Sequence, residues 1–572
     1  MEISEGSAPV LLIAPHGGRA NPATSSVLHP KVNDLHTADI TRELAARIGA
    51  TSLINAGMDR NTLDCNRVGQ LAEQAPWLLD TIAMRLEEMI ARHGRASVLL
   101  IHGWNVIEPR IDFGLGLKAA DGVFRAHGAA RVSASDAFIH GPLKNLADRL
   151  RESGVIPTVG LRYPGGGSQN LLQAFTERFR ESQLEPLRRL AKLAATGVIE
   201  ALQLELSVAV RWPGALRHNI VEILAETFSQ NTEPASPAPT PITVIRNVAK
   251  SSSPKPVKRP ATLPVRLGME VFDPSARIGI ITSFDLGESA TGARFILLLN
   301  GRQIALFTSE GKPTHNSKRI ARGPLALRHE GNRLALEFNG PALISPDNIG
   351  YLSVEDSLAA GTLQETTEIA IAMNPFNIPP SLHALLEAIQ QPASHLDGSA
   401  AFGSATGRVT VEGHAQPISG IGRIGRSFSA LGNVRFDSRR MLWAHLPSHP
   451  RISAIEALVL ARRDGGSDFC GRIFTRDGSS SECMLKALQL DAPSESAPNR
   501  ISALVIGPEG VEMALSGEAE IFLPLSRPGH DQSRVLTWLG FARFHLDGHE
   551  GAGMFEHSSC TETSTAASDA DE

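Results

Sequence analysis

Two histidines and one glutamate occupy positions from which they could hold a metal ion and activate water. His16, His102 and Glu205 each follow, directly or after one residue, an apolar run of strand length. Imidazole is a common zinc ligand, and catalytic zinc sites combine three protein ligands with an open position. A nearby glutamate can accept a proton from water. These residue types predict a metal-dependent hydrolase, although a single histidine after a strand is more often structural.

The elements that must position these residues are three apolar runs, at 10–14, 98–101 and 199–204. Segments with apolar residues at helical spacing alternate with these runs, which is typical of βαβ units and a mainly parallel sheet. In open α/β sheets, ligands gather outside the carboxyl ends of the strands. We therefore expect an α/β domain over residues 1–228, with the site at one edge of its sheet.

Two further segments could contact a substrate. Residues 59–67 read DRNTLDCNR, so that Asp64 lies three residues before Arg67. A carboxylate at this spacing can brace a guanidinium, and arginine can hold a substrate carboxylate through two hydrogen bonds. The segment 163–170, YPGGGSQN, has three glycines but lacks the Gly-Lys-Ser/Thr of a phosphate loop. On these patterns alone, the first segment is most simply a surface turn, and the second is either a substrate-facing loop or a plain turn.

Six segments in the first 225 residues form an ordered set. They read PHGG at 15–18, NDLHT at 33–37, RNTLDCNR at 60–67, IHG at 101–103, RIDFGLG at 110–116 and ALQLELS at 201–207. In this order they resemble the motifs of the N-formylglutamate amidohydrolase family, a relative of the zinc carboxypeptidases and aspartoacylases. The resemblance implies a carboxypeptidase-like fold, one zinc ion and hydrolysis of an N-acyl amino acid.

The resemblance also implies roles for individual residues, which are carried over by position. It implies that His16 and His102 bind the metal and that Glu205 is the general base. The matching arm for a substrate carboxylate consists of Asn66 and Arg67, oriented by Asp64, and Arg60 could polarise the scissile carbonyl.

One position departs from the pattern of the related enzymes. Carboxypeptidases and aspartoacylases have a ligand glutamate three residues after the first histidine, whereas this chain has Arg19 there. We expect Asp34 to supply the third ligand, with His36 as the alternative. Asp34 could instead cap the helix that follows it. If neither residue binds metal, the domain is a degenerate member without activity.

The second half of the chain has a different character. Residues 229–265 are rich in proline, which is typical of a semi-extended linker. Short strand patterns separated by turns then predict an all-β region of two sandwich or barrel units, at 266–395 and 396–557. The tail, 558–572, has a composition typical of disorder.

Two glycine-rich stretches near 411–431 and 540–557 faintly resemble the paired lipocalin-like domains of the AttH and hydroxyneurosporene synthase group. That resemblance implies two β-domains and a cavity for an apolar ligand. Gly420, Gly422 and Gly425 spell GxGxxG, but they lie among strands, so we interpret them as bulges or corners rather than a dinucleotide site. Arg423 and Arg426 could line a cavity or could be solvated.

Composition excludes several classes of function. The 572 residues carry a net charge of −5, which offers no general attraction for nucleic acid or anionic membranes. The four cysteines lack Cys-x-x-Cys spacing, which argues against a disulfide framework or a thiolate zinc site. Neither a signal peptide nor a run of about 20 apolar residues occurs. We expect a cytoplasmic enzyme.

The leading hypothesis is a zinc-dependent amidohydrolase that cleaves an N-acyl or N-formyl amide of a small carboxylate-bearing substrate. Its β-rich module would bind an apolar ligand or a partner. The alternatives are a non-catalytic binding or scaffold protein that retains the hydrolase fold, motivated by Arg19, and a zinc carboxypeptidase acting on peptides.

Overall fold

The computed structural model describes most of the chain, in two compact units at Met1–Pro256 and Val257–Glu572. The described residues are 1–18, 33–120, 123–230, 266–286, 292–300, 303–345, 358, 360–376, 382, 386, 400–426, 436–462, 465–491, 500–507, 510–528 and 534–561. Arg19, residues 231–265 of the predicted linker and residues 562–572 of the predicted tail lie outside them.

Unit 1 alternates strands and helices, as its apolar patterns predict. Its strands are β1 (Glu2–Ser4), β2 (Val10–Ala14), β3 (Thr51–Ile54), β4 (Ala96–Trp104), β5 (Arg110–Gly114), β6 (Leu117–Ala120), β7 (Val123–Ala126), β8 (Ile156–Val159) and β9 (Ile199–Ser207). Its α-helices are α1 (Thr37–Ile48), α2 (Val68–Gln74), α3 (Pro76–His93), α4 (Asp136–Phe138), α5 (Lys144–Glu152), α6 (Glu185–Ala195), α7 (Val208–Arg211) and α8 (Ala215–Gln230). A π-helical turn spans Ile139–Leu143, and 3-10 turns span Leu171–Phe175 and Glu177–Phe179.

The main sheet of unit 1 has the order β1-β3-β2-β4-β9-β5-β8 in the described part of the chain. The pairs β2–β3, β2–β4, β4–β9 and β5–β8 are parallel, while β1–β3 and β5–β9 are antiparallel. The prediction of an α/β domain with a mainly parallel sheet is confirmed. The central strands β2, β4 and β9 run in one direction, so their carboxyl ends meet at one edge.

Helices cover both faces of this sheet, because the central strands are buried on both sides. Leu12 and Leu99 pack in one apolar cluster with residues of α1, α5 and α8. Leu11 and Val98, whose side chains point to the opposite face, pack in a second cluster with residues of α2, α3 and α6. Continuous apolar runs are the expected sequence of strands buried in this way.

Unit 2 is all-β, as predicted. Its strands are β10 (Arg266–Asp273), β11 (Ile278–Asp285), β12 (Ala293–Leu299), β13 (Gln303–Thr308), β14 (Thr314–His315), β15 (Arg319–Arg322), β16 (Leu325–Glu330), β17 (Arg333–Ser345), β18 (Thr362–Pro375), β19 (Ala401–Val411), β20 (His414–Arg426), β21 (Phe436–His445), β22 (Ile452–Arg462), β23 (Ser467–Thr475), β24 (Ser480–Asp491), β25 (Arg500–Ile506), β26 (Glu512–Pro528), β27 (Arg534–Leu546) and β28 (His549–Thr561).

These strands form two antiparallel barrels. In the first, β13 pairs with both β12 and β17 and so closes a ring through β10–β13 and β17–β20, from which β14–β16 extend. In the second, β21–β28 form a closed barrel. The first barrel continues to Arg426, past the predicted division at 395, because β20 returns to pair with β10. Likewise β28 continues to Thr561, into the predicted tail.

Within unit 2, the two barrels share an apolar interface. Phe272, Ile296 and Phe402 of the first barrel pack in one cluster with Trp443 and Phe541 of the second. In the described residues of the whole chain, no helix has both the length and the apolar character to cross a membrane.

Candidate metal centre

Three buried side chains converge at the carboxyl edge of the unit 1 sheet. The carboxylate oxygen Asp34 Oδ2 lies 3.1 Å from His16 Nδ1 and 3.2 Å from His102 Nδ1. The two imidazole rings meet edge to face, with their centroids 4.9 Å apart. His16, Asp34 and His102 form a group whose ligand atoms all lie within 4.8 Å of one another, so the group could hold a metal ion.

Each of these residues is brought to the edge by a different element. His16 follows the end of β2, and His102 lies near the end of β4, whose neighbour in the sheet is β2. Asp34 is held against the first histidine by its backbone, because its N–H donates to the carbonyl oxygen of His16 at 2.9 Å. Gly17 lets the start of α1 pack closely behind His16, since a Cβ at Gly17 would lie 2.8 Å from the Cβ of Ala38.

The side chain of Asp34 does not cap the next helix. The N-cap position of α1 is His36, which makes no side-chain capping bond. Asp34 instead turns its carboxylate towards the two histidines and receives a hydrogen bond from Arg60 at 3.2 Å. His36, the alternative ligand, is partly exposed, packs its ring against Trp212 and contacts Asp39 at 3.4 Å. The structure therefore brings Asp34 to the histidine pair and leaves His36 away from it.

The donor set fits a divalent cation. Tetrahedral zinc with bonds of about 2.0–2.1 Å would place its ligand atoms about 3.3 Å apart, close to the two measured separations at Asp34. One buried nitrogen, His102 Nε2, has no hydrogen-bond partner in the part of the chain that the structure describes. Buried polar atoms normally have a partner, but Nε2 lies across the ring from Nδ1, so the fit of a cation rests on the separations at Asp34.

A second carboxylate fixes the orientation of His16. Its Nε2 lies 2.7 Å from Asp64 Oδ1. When Nε2 carries the proton and donates it to this carboxylate, the lone pair of Nδ1 is left for a cation. A carboxylate behind a ligand histidine commonly sets tautomer and ring orientation in metal sites.

Opposite charges within the group shift the pKa values of its members. Burial alone would raise the pKa of Asp34, but His16 and His102 outweigh it and hold that pKa well below its usual range. Burial opposes protonation of His16 as well, yet Asp34 and Asp64 raise its pKa. Burial lowers the pKa of His102, which favours the neutral imidazole, the form that binds metals.

Glu205 lies beside the group on the adjacent strand. It is the register partner of His102 in the β4–β9 pair, and its side chain is buried. Burial, reinforced by the charge of Asp34, raises the pKa of the Glu205 carboxyl well above its ordinary value. Gln203 Nε2 donates to Glu205 Oε1 at 2.6 Å.

A cavity of about 300 Å³ opens in front of these residues. Arg60, Asn66 and Arg67 line it together with the histidines and Glu205. Arg67 is half exposed, and its Nε lies 3.6 Å from Asp64 Oδ2. All the site residues that the sequence analysis names therefore lie at or next to this cavity, except His36.

Tyr163 and Asn170 of the glycine-rich segment 163–170 also line the cavity, which agrees with a substrate-facing loop rather than a plain turn. The structure adds two residues that sequence reasoning missed, Arg162 and Gln203. Asp112, which lies in the RIDFGLG motif, holds that loop, because its carboxylate accepts hydrogen bonds from the backbone N–H groups of Leu161, Arg162 and Tyr163. The sequence could have indicated Asp112 only through its position in this motif.

Comparisons with known proteins give no family assignment. No family model matches the chain, and no curated protein matches it. Three similar solved structures are an AttH-type protein from Nitrosomonas europaea, kievitone hydratase from Nectria haematococca and N-formylglutamate amidohydrolase from Ralstonia eutropha JMP134.

The first two cover 51% and 53% of this chain and 91% and 90% of their own chains, at 10% and 12% identity and TM-scores of 0.31 and 0.30. The third covers 40% of this chain and 96% of its own, at 14% identity and a TM-score of 0.25.

Proposed function

We propose that unit 1 is a zinc-dependent amidohydrolase that cleaves an N-acyl or N-formyl amide of a small carboxylate-bearing substrate. One observation carries the proposal. Buried donor atoms of His16, Asp34 and His102 lie within 4.8 Å of one another, and Glu205 lies beside them on the adjacent strand β9. Two imidazoles and one carboxylate form a donor set that suits zinc. When bound, such a cation lowers the pKa of water towards neutrality and polarises a carbonyl group.

The residues of the chain would divide the remaining work. Glu205, the buried register partner of His102, would take a proton from the attacking water and pass it to the departing nitrogen. Arg67 and Asn66 would hold the substrate carboxylate, since a guanidinium can grip it through two hydrogen bonds. Arg60, which contacts Asp34 and lines the cavity, would stabilise negative charge on the carbonyl oxygen.

For unit 2, binding of an apolar ligand stays a prediction. The rings of Phe295, Phe307 and Phe338 pack against one another inside the first barrel, with centroid separations of 4.5–5.9 Å. Any apolar ligand of this barrel would share the interior with these three side chains.

The metal can be tested on the full chain by elemental analysis after dialysis against micromolar zinc. We expect stoichiometric zinc in the parent, loss of most of it in Asp34→Asn, and retention in His36→Gln. If His36→Gln loses zinc and Asp34→Asn retains it, then His36 and not Asp34 is the third ligand. Zinc-free parent protein would contradict the proposal.

Turnover can be tested with a panel of N-formyl and N-acetyl amino acids and a matched panel of peptides. Glu205→Gln should retain zinc and lose about 10²–10⁴-fold in kcat, the range typical of a general base. Hydrolysis of peptides alone would favour the carboxypeptidase alternative. Equal activity in the parent and the variant, including none in either, would favour a binding or scaffold protein.

A further inference from the structure

Two side-chain amides lie in series behind the carboxylate of Glu205. Gln203 is buried in β9, and its Nε2 donates to Glu205 Oε1 at 2.6 Å. Its other end, Oε1, accepts a hydrogen bond from Asn170 Nδ2 at 3.1 Å. Neither Asn170 nor Gln203 has a role in the proposed reaction.

The backbone N–H of Leu172 determines which end of each amide donates and which accepts. Asn170 Oδ1 accepts the N–H of Leu172 at 2.8 Å and so caps the 3-10 turn Leu171–Phe175. Because the oxygen of Asn170 is used there, its NH₂ group faces Gln203. Gln203 must then present its oxygen to Asn170 and its NH₂ group to Glu205, since an amide has one acceptor end and one donor end.

The same segment is joined to the predicted substrate arm. Asn170 and Arg67 form an antiparallel backbone bridge. The N–H of Leu171 donates to the carbonyl oxygen of Asn66 at 3.1 Å, and the N–H of Val68 donates to the carbonyl oxygen of Gln169 at 2.8 Å. The substrate arm and the amide pair are therefore joined by backbone hydrogen bonds.

A glycine makes room for this arrangement. Gly114 is the register partner of Gln203 in the β5–β9 pair. A Cβ at Gly114 would lie 2.8 Å from the carbonyl oxygen of Tyr163 and 3.1 Å from the Cβ of Gln203. The glycine-rich loop can thus approach β9 closely enough for Asn170 to reach Gln203.

We propose that Asn170 and Gln203 are positioning residues that hold one oxygen of Glu205 and tie its position to the substrate arm. The inference rests on the proposed function, because it assigns Glu205 the part of general base. With Oε1 held by Gln203, the other oxygen, Oε2, is left to accept the proton of water. A misplacement of about 1 Å in a reacting group can cost about 10²-fold in rate.

The variants are chosen to break one link at a time. Asn170→Ser keeps an oxygen that can cap Leu172 but is too short to reach Gln203. Gln203→Met keeps the length of the side chain and removes both hydrogen bonds. We expect each variant to lower kcat by about 10–100-fold with KM within about twofold, the pattern of an interaction that acts on the transition state.

The double variant tests whether the two residues act through one path. If they do, Asn170→Ser has little further effect once Gln203 is Met. If the losses in kcat of the two single variants multiply in full in the double variant, the two residues act independently and the proposal is overturned. A rise in KM with unchanged kcat would also overturn it, because that pattern indicates direct contact with substrate. Ser133→Ala is the matched control, since Ser133 donates to the Ala201 carbonyl of the same strand at 2.8 Å and should leave both constants unchanged.

A second readout does not depend on turnover. In protein labelled with ¹⁵N in the glutamine side chains, the Gln203 amide resonance is identified by its loss in Gln203→Met. It should shift in Asn170→Ser and stay in place in Ser133→Ala. If the parent hydrolyses no substrate, the proposed function fails. The resonance still tests whether Asn170 holds Gln203, because an unmoved resonance in Asn170→Ser would overturn the positioning proposal.

Discussion

At the scale of single residues, Asp64 has the most informative position. It accepts a hydrogen bond from His16 Nε2 and lies near Arg67. It therefore links the histidine of the candidate metal centre to the predicted substrate arm. Its sequence context places it only in the arm, because its contact with His16 joins residues 48 positions apart.

Asp64→Asn should weaken metal binding without removing a metal ligand. A neutral amide holds the His16 ring less strongly and lowers the basicity of Nδ1, and changes of this kind typically cost about 10–100-fold in metal affinity. Competition for zinc with a chelating dye measures the effect. Asp39→Asn, which alters the contact with His36, is the control. Equal affinities in the parent and Asp64→Asn would show that this hydrogen bond does not support the site.

The residues of the site could be predicted only in part. His16, His102 and Glu205 could be named because each ends an apolar run, and parallel strands bring such ends to one edge. Gln203, within the third run, could not, since its partners depend on which loop covers β9. Its contact with Asn170 spans 33 residues and depends on a close approach that no periodicity encodes.

At the scale of elements, strand alternation predicts burial well and local chemistry poorly. On β21, Met441 and Trp443 face the first barrel, while Leu442 and Ala444 face the interior of the second. His445 continues the outward row and stacks on Phe376, with centroids 4.8 Å apart. The pattern of the strand does not reveal that this histidine is buried and neutral.

The stability of unit 2 should fall between about pH 7 and pH 5. Burial, helped by the charge of Arg476, lowers the pKa of His445 from 6.5 to about 4. The unfolded chain therefore binds the proton first, and the stabilisation present above pH 6.5 is lost as the pH falls towards 4. For this residue the loss at about pH 5 is roughly 2 kcal/mol.

Urea unfolding followed by tryptophan fluorescence at the two pH values measures this loss. His445→Phe keeps the stacking on Phe376 and removes the titrating group, so its dependence on pH should be smaller than that of the parent. His557, whose burial also lowers its pKa to about 4, titrates in both proteins and cancels in the difference. Identical pH dependences in the parent and the variant would contradict the assignment to His445.

The glycines of the GxGxxG motif lie within strand β20, where neighbouring atoms approach them closely. A Cβ at Gly420 would lie 2.1 Å from the carbonyl oxygen of Phe272, and one at Gly422 would lie 2.8 Å from the sulfur of Met373. These glycines permit tight packing within a strand that pairs on both sides. The register of β20 has no shift at these glycines, so they permit close packing instead of marking the predicted bulges, and they do not form a dinucleotide loop.

At the scale of the whole molecule, buried charge joins the two barrels of unit 2. Arg423 of β20 contacts Glu270 of β10 at 3.0 Å and also Glu456 of β22, which belongs to the second barrel. Arg439 and Glu556 form a further buried pair at 3.2 Å. Arg423 is only 2% exposed and lies between two carboxylates, so it is not solvated.

Arg423→Met should destabilise unit 2 by roughly 3–5 kcal/mol, because it leaves buried carboxylates without their cation. The triple change Arg423→Met, Glu270→Met and Glu456→Met should recover most of this loss. Denaturant unfolding measures both, and Arg408→Met, which alters an exposed ion pair with Glu368, is the control with an effect near zero. A single variant as stable as the parent would show that the charges are not coupled.

The shared interface of the barrels has a consequence for how such a chain can change over time. A second barrel on its own would expose Trp443 and Phe541, together with a glutamate whose arginine lies on the other barrel. Either half alone would tend to aggregate. We therefore expect the two barrels to be inherited together. Deletions, gene fusions and domain exchanges that keep unit 2 functional should have their end points outside residues 266–561.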